Sequence, residues 1–146
     1  MEIKILILLH LIGACVWVGG HLVLALSVLP RSLREKDPKA VLVFEERFER
    51  IGIPALVVQV ITGLRMAALY VDVGDWFRFD NVMSAHISTK LILLAATLVL
   101  AVHARFFIIP RLNSGNLSFL ALHIIAVTLI ALALLFMGLN FRLAII

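Results

Sequence analysis

Cysteine is almost absent from this chain. Cys15 is the only one, which excludes an intrachain disulfide. No Cys-x-x-Cys-His sequence occurs, so a covalently attached c-type haem is also excluded. No Met-x-x-Met pair occurs either, and we predict that Met66 and Met137 pack rather than bind copper. Any metal chemistry must therefore come from other side chains.

Charge is also scarce. Only 15% of the residues are charged, 63% are hydrophobic, and the mean hydropathy is +1.12. A soluble domain of this size needs a far more polar surface, so the sequence predicts an integral membrane protein with a single domain over residues 1–146. The net charge of +4 does not indicate nucleic-acid binding, because the basic residues cluster beside apolar runs. Membrane topology and anionic lipid explain them better.

Four apolar runs set the predicted architecture. Residues 5–29 contain no charged side chain and exceed the roughly 20 residues needed to cross a bilayer. We predict an all-α, four-transmembrane-helix antiparallel bundle with spans near 3–29, 51–71, 82–109 and 117–140. Proline cannot continue a helix without losing a hydrogen bond, so Pro30 and Pro110 should end the first and third spans. Pro54 should lie in the first turn of the second span, where proline is tolerated.

The loops carry an unequal number of basic residues. The side that holds residues 31–50 and 110–116 has eight: Arg31, Arg34, Lys36, Lys39, Arg47, Arg50, Arg105 and Arg111. The opposite side has three: Lys4, Arg78 and Arg142. By the positive-inside rule, both termini should lie outside the cytoplasm. Within the larger loop, residues 39–50 should extend the second helix beyond the membrane. Arg105, near the end of the third span, should extend to the cytoplasmic headgroups.

Five histidines interrupt the apolar runs, and three of them should share one depth. Counted from the cytoplasmic end of their spans, His21, His103 and His123 agree within about 3 Å. An imidazole is costly in hydrocarbon, so such groups usually face a bundle interior and mark a functional site. We predict an inner site, in which His21 and at least one of His103 and His123 bind a common metal or haem iron.

A second set of polar side chains should lie toward the other leaflet. His10 shares a helix face with His21 but is about 16 Å away along the axis. Toward the same leaflet as His10 we expect His86, Lys90 and Arg65, with His86 roughly 9 Å further out than His10. The alternative for any single histidine is a hydrogen bond to a neighbouring helix, worth about 0.6 kcal/mol. Lys90 and Arg65 could likewise extend to the headgroups.

Three segments carry a resemblance to a known family. HLIGACVWVGG, FEERFERIGIPALVVQVITG and STKLILLAATLVLAVHARFFIIPRL resemble the CopD domain of bacterial copper-resistance membrane proteins and the related HemJ-type protoporphyrinogen oxidases. The resemblance implies a four-helix bundle with an intramembrane metal or haem. We therefore expect the bacterial inner membrane, where the charge asymmetry would put both termini on the periplasmic side. The family's first-helix histidine falls on His10, its third-helix lysine on Lys90 and a later histidine on His103. Its Glu-Arg pair before the second helix falls on Glu49 and Arg50. The sequence departs at Ser88, where HemJ-type proteins have a histidine, and His21 and His123 have no counterpart there.

These observations lead to three functional hypotheses. The first is a membrane-embedded protein with one or two b-type haems that transfers electrons, with a quinone or a redox protein as partner. In it His10 and His86 bind the iron, while Lys90 and Arg65 offset the propionate charges. The second is copper binding or transport, with His21, His103 and His123 as a relay, because imidazole binds copper well. The third is protoporphyrinogen oxidation, so enzyme activity, as an oxidoreductase, is left open. A homo-oligomer is also left open.

Overall fold

The protein is a bundle of long helices joined by short loops. A computed structural model describes the backbone of residues 1–143 and the side chains of residues 1–140. Its helices are α1 (Glu2–Glu35), α2 (Lys39–Tyr70), α3 (Val82–Arg111) and α4 (Leu117–Leu143), and each contains a segment long and apolar enough to cross a membrane. No strand occurs in the described residues. The predicted all-α, four-helix fold is therefore confirmed, and the chain is a multi-pass membrane protein. Arg142, used in the charge count, lies outside the described side chains.

The two prolines expected to end spans do not end them as predicted. α1 continues through Pro30 to Glu35, and α3 runs on through Pro110 as a 3₁₀ turn, Ile109–Arg111. In each helix a π-helical turn precedes the proline, at Leu24–Val28 and at Ala104–Ile108. A π turn is one residue wider than an α turn and is a common response to a disrupted hydrogen-bond ladder. The chain thus accommodates the prolines within helices.

The second helix also begins earlier than its predicted membrane span. Residues 39–50 are helical as expected, and α2 starts at Lys39. Pro54 therefore lies in the interior of a 32-residue helix and not in a first turn. The turn before α2 is formed by Lys36 in a left-handed conformation, with the Asp37 N–H donating to the Ser32 carbonyl. This pattern is a common helix C-terminus, and Pro38 follows it.

α1 joins α2 to α4 in the bundle. Near one end of the bundle, Leu24 and Leu29 of α1 share a buried cluster with Val41 of α2 and with Ile108 of α3. The same cluster contains α4 residues Leu117, Leu120, Ala121 and Ile124. A second cluster, nearer the middle, joins Trp17 and Val18 of α1 to α4. α1 thus contacts both α2 and α4, and α3 packs on α4.

Two glycines let α1 and α2 approach closely. A Cβ on Gly13 would lie 2.9 Å from the Ala55 carbonyl oxygen, and one on Gly20 would overlap the ring of Phe48. Small residues commonly allow such contacts between membrane helices, where lipid supplies no hydrophobic force between the helices. Large side chains elsewhere face outward, such as Leu26 at 75% exposure and Val99 at 67%. This is the pattern expected of a lipid-facing surface.

We expect Gly20→Leu to destabilise the protein and Gly19→Leu to leave it nearly unchanged. The added side chain at position 20 must displace the Phe48 ring, whereas nothing lies within 4 Å of a Cβ at position 19. Overpacking of this kind costs about 1–3 kcal/mol. Thermal unfolding of both variants in one detergent, followed by Trp fluorescence, measures the difference. Equal midpoints for the two variants would contradict the close packing of α1 on α2.

Candidate functional site

Two histidines from different helices form a direct pair. His103 is the last residue of the α-helical part of α3, and His123 lies in α4. The Nδ1 atom of His103 is 2.9 Å from Nε2 of His123, and the rings stack with centroids 5.0 Å apart. His123 is buried, with 8% of its surface exposed. The structure therefore brings together two of the three histidines predicted at the inner level.

The hydrogen bonds around this pair determine where its protons lie. Nδ1 of His123 is 3.1 Å from the Phe119 carbonyl oxygen, and a carbonyl can only accept, so Nδ1 carries the proton. In a neutral ring, Nε2 of His123 is then an acceptor, and His103 must donate to it from Nδ1. This leaves an available lone pair on Nε2 of His103. Its geometry is that of a metal-ligating imidazole, whose other ring nitrogen donates to a second group.

Two phenylalanine rings flank the histidine pair. Phe107 stacks on His103 with centroids 5.5 Å apart, and Phe119 meets both imidazoles edge to face. Phe107 belongs to the π turn that follows His103 in α3. π turns within α-helices are frequent at functional sites. Both phenylalanine rings are half or more exposed, so they flank the pair without covering it.

The third predicted inner histidine, His21, lies on α1 among aromatic residues. Its Nδ1 donates to the Trp17 carbonyl at 2.9 Å, so its Nε2 is also a lone pair. The Trp17 ring is 4.4 Å from the imidazole and the Phe48 ring 5.8 Å, both between centroids. In the described part of the chain, no group of three or more His, Cys, Asp and Glu residues could hold a metal. A ligand set that includes His21 remains a prediction.

His10 is bound to α2 rather than to α3. Its Nδ1 is 3.0 Å from the Gln59 carbonyl and 3.1 Å from Oγ1 of Thr62. The Thr62 hydroxyl donates to the Val58 carbonyl, so it accepts from His10. Gly63 makes room for the ring, because a Cβ there would lie 3.1 Å from His10 Cε1. His10 is thus the third histidine whose tautomer is fixed with a lone pair on Nε2.

The other residues predicted near His10 have their own surroundings. Nε of Arg65 donates to the Glu2 carboxylate at 2.8 Å, which joins α2 to the first turn of α1. Nζ of Lys90 lies beside α4, about 4.0 Å from the position of a Cβ on Gly138. His86 is half-buried on α3, one turn before Lys90. The pairing of His10 with His86 around a haem, with Lys90 and Arg65 at the propionates, remains a prediction.

One ion pair near the inner histidines was not predicted from the sequence. Nε of Arg105 donates to the Glu49 carboxylate at 2.7 Å, which connects the π turn of α3 to α2. The sequence led us to expect Arg105 to extend to the headgroups. Glu49 was singled out only as the acid of the family's Glu-Arg pair before the second helix, and Arg50 is instead near Glu46 at 3.8 Å. The sequence alone does not identify the partner of Arg105, because the partner depends on which helices are neighbours in the fold.

Comparisons with known proteins give one assignment. A family model described as CopD, copper resistance protein D, matches residues 42–141. No curated protein and no solved structure matches the chain. The matched region contains α2 almost from its start, all of α3 and most of α4, so it includes His86, His103 and His123. It covers more than half of the chain, and the protein therefore belongs to the CopD family and is a copper-resistance-related membrane protein.

Proposed function

We propose that the protein binds Cu(I) inside the bilayer, with Nε2 of His21 and Nε2 of His103 as ligands. The observation that carries this proposal is the fixed tautomer of both rings. In each imidazole the Nδ1 proton is donated to another group, which leaves Nε2 as a lone pair. The choice of copper rests on the family description and on the affinity of imidazole for this metal.

Packing supports a common depth in the bundle for the two proposed ligands. Trp17 of α1 and Leu100 of α3 belong to the same apolar cluster. His21 lies four residues beyond Trp17, and His103 lies three beyond Leu100. Both helices continue from this cluster to the end where residues 24, 29 and 108 pack together. Each imidazole thus lies about one turn from a residue of this cluster, on the same side of it.

The charge of the ion favours the cuprous state. The cost of moving an ion from water into a low-dielectric interior rises steeply with its charge. Two neutral imidazoles do not offset any of that charge, so a monovalent ion is less costly to hold than a divalent one. Cu(I) also accepts two ligands in a linear arrangement, and two imidazoles therefore suffice.

His123 has a positioning role in this proposal. It accepts the Nδ1 proton of His103 and donates its own to the Phe119 carbonyl. These two hydrogen bonds fix both the tautomer and the orientation of His103. Loss of such a supporting partner typically lowers metal affinity by 10- to 100-fold, whereas loss of a ligand lowers it more.

Nothing in the family match or the described side chains supports b-type haem, electron transfer or protoporphyrinogen oxidation. The description of the matching family names copper. The lone pair on Nε2 of His10 is compatible with an axial haem ligand, but the same hydrogen bonds also serve to join α1 to α2. Haem remains a hypothesis from the sequence, and the copper experiment can be designed to separate the two.

We expect His21→Ala and His103→Ala to abolish high-affinity Cu(I) binding. His123→Ala should weaken it by about 10- to 100-fold, and His10→Ala, in which a histidine outside the proposed set is removed, should retain it. Competition with a chromophoric Cu(I) chelator in detergent measures all four affinities. Retention of wild-type affinity in His21→Ala and His103→Ala would overturn the ligand assignment.

An absorption spectrum of each preparation, purified with haem in excess, is the control for the alternative cofactor. A Soret band that is lost in His10→Ala would favour the haem hypothesis over copper. Absence of that band, together with the expected loss of copper in the two ligand variants, would support the copper site. Trp fluorescence unfolding of each variant checks that the bundle remains intact.

A further inference from the structure

A basic groove lies between α1 and the charged first half of α2. Its volume is about 690 Å³, and it lies beside the π turn of α1. Its basic side chains are Arg31, Lys39 and Arg47, and no acidic residue lines it. Neither proposed copper ligand lines the groove, although Phe48, which does, also contacts the ring of His21. We infer that it binds the headgroup of an anionic phospholipid.

The charge of the groove is only partly neutralised by the protein. Nε of Arg31 donates to Glu35 at 3.0 Å, an exposed pair within one helix. In the part of the chain whose side chains are described, Lys39 and Arg47 make no ion pair. Three cations around one groove attract a phosphate, and guanidinium groups bind phosphate oxygens in pairs. An anion is therefore the complementary occupant.

The apolar part of the groove indicates a lipid rather than a free anion. Val43 and Ile51 line it with 48% and 61% of their surfaces exposed, and Phe44 lies between α1 and α2. Along α2, Lys39, Val43, Arg47 and Ile51 follow one another at four-residue intervals, which forms a single row of alternating charged and apolar side chains. Such a row offers contacts both to a headgroup and to the start of an acyl chain.

The position of the groove relative to the membrane supports the same occupant. Phe48 of α2 packs against Gly20 of α1, so the preceding charged residues of α2 run beside the second half of α1. That half of α1 includes the strongly exposed Leu26, a side chain suited to lipid. Arg47 and Lys39 have long apolar stems and can extend toward phosphates from this level. Basic pockets between membrane helices on the cytoplasmic side commonly bind anionic headgroups.

The test compares lipid retention in two double variants of the full chain. Lys39→Gln/Arg47→Gln removes two groove cations, and Arg34→Gln/Arg111→Gln removes two exposed cations outside the groove. Each protein is purified from nanodiscs of phosphatidylcholine and phosphatidylglycerol, and native mass spectrometry counts the phosphatidylglycerol retained. We expect about a thirtyfold loss of affinity in the groove variant, from two basic contacts. The control should retain wild-type affinity.

Three results would overturn the proposal. Equal loss in both variants would mean a general surface charge effect. Equal thermal stabilisation by inorganic phosphate and by phosphatidylglycerol would mean a free-anion site. A dimer that dissociates in the groove variant without lipid loss would mean that a second copy occupies the groove. If the double variant does not fold, as judged by gel filtration and circular dichroism, Lys39→Gln alone should show a smaller loss of phosphatidylglycerol, and wild-type retention there would contradict the proposal.

Discussion

The close approach of α1 and α2 is the contact on which the rest of the bundle depends. Gly20 admits the Phe48 ring, and Gly13 admits the backbone of α2 at Ala55. Dispersion contacts at this distance and interhelical hydrogen bonds must hold the helices together, because the lipid around them is as apolar as their own side chains. His10 adds such a hydrogen bond to the Gln59 carbonyl. The two histidines of α1 both lie at this interface. His10 donates to α2, and the ring of His21 contacts Phe48.

Backbone carbonyls then set the chemistry of the imidazoles. The carbonyls of Trp17 and Phe119 accept from the histidine four residues later in the same helix, and the Gln59 carbonyl accepts from His10 on another helix. A carbonyl oxygen has a second lone pair, so these bonds do not require the helical hydrogen bonds to break. The result is a common tautomer with Nε2 available, except at His123, whose Nε2 accepts from His103. Backbone carbonyls thus fix the tautomers of His10 and His21 directly, and that of His103 through His123.

The sequence predicted the parts of the fold that depend on local pattern. Run length and hydropathy identified the four helices, and depth counting placed His103 and His123 together. The prolines were misjudged, because whether Pro30 ends a helix depends on whether a π turn can form before it. The ion pairs of Arg65 with Glu2 and of Arg105 with Glu49 join residues far apart in the chain. Such pairs depend on which helices are neighbours, and periodicity alone carries no information about this.

In the proposed site, two imidazole nitrogens hold copper inside the bundle. X-ray absorption at the copper edge of the Cu(I)-loaded protein tests this most directly, because scattering from nitrogen and from sulfur differs clearly. We predict two nitrogen ligands at about 2 Å, the usual metal–imidazole distance, with the outer-shell scattering of imidazole rings and no sulfur. A sulfur ligand would contradict the account, because Cys15 or a methionine would then bind the metal. Nitrogen ligands without the outer-shell scattering of imidazole rings would also contradict the proposed site.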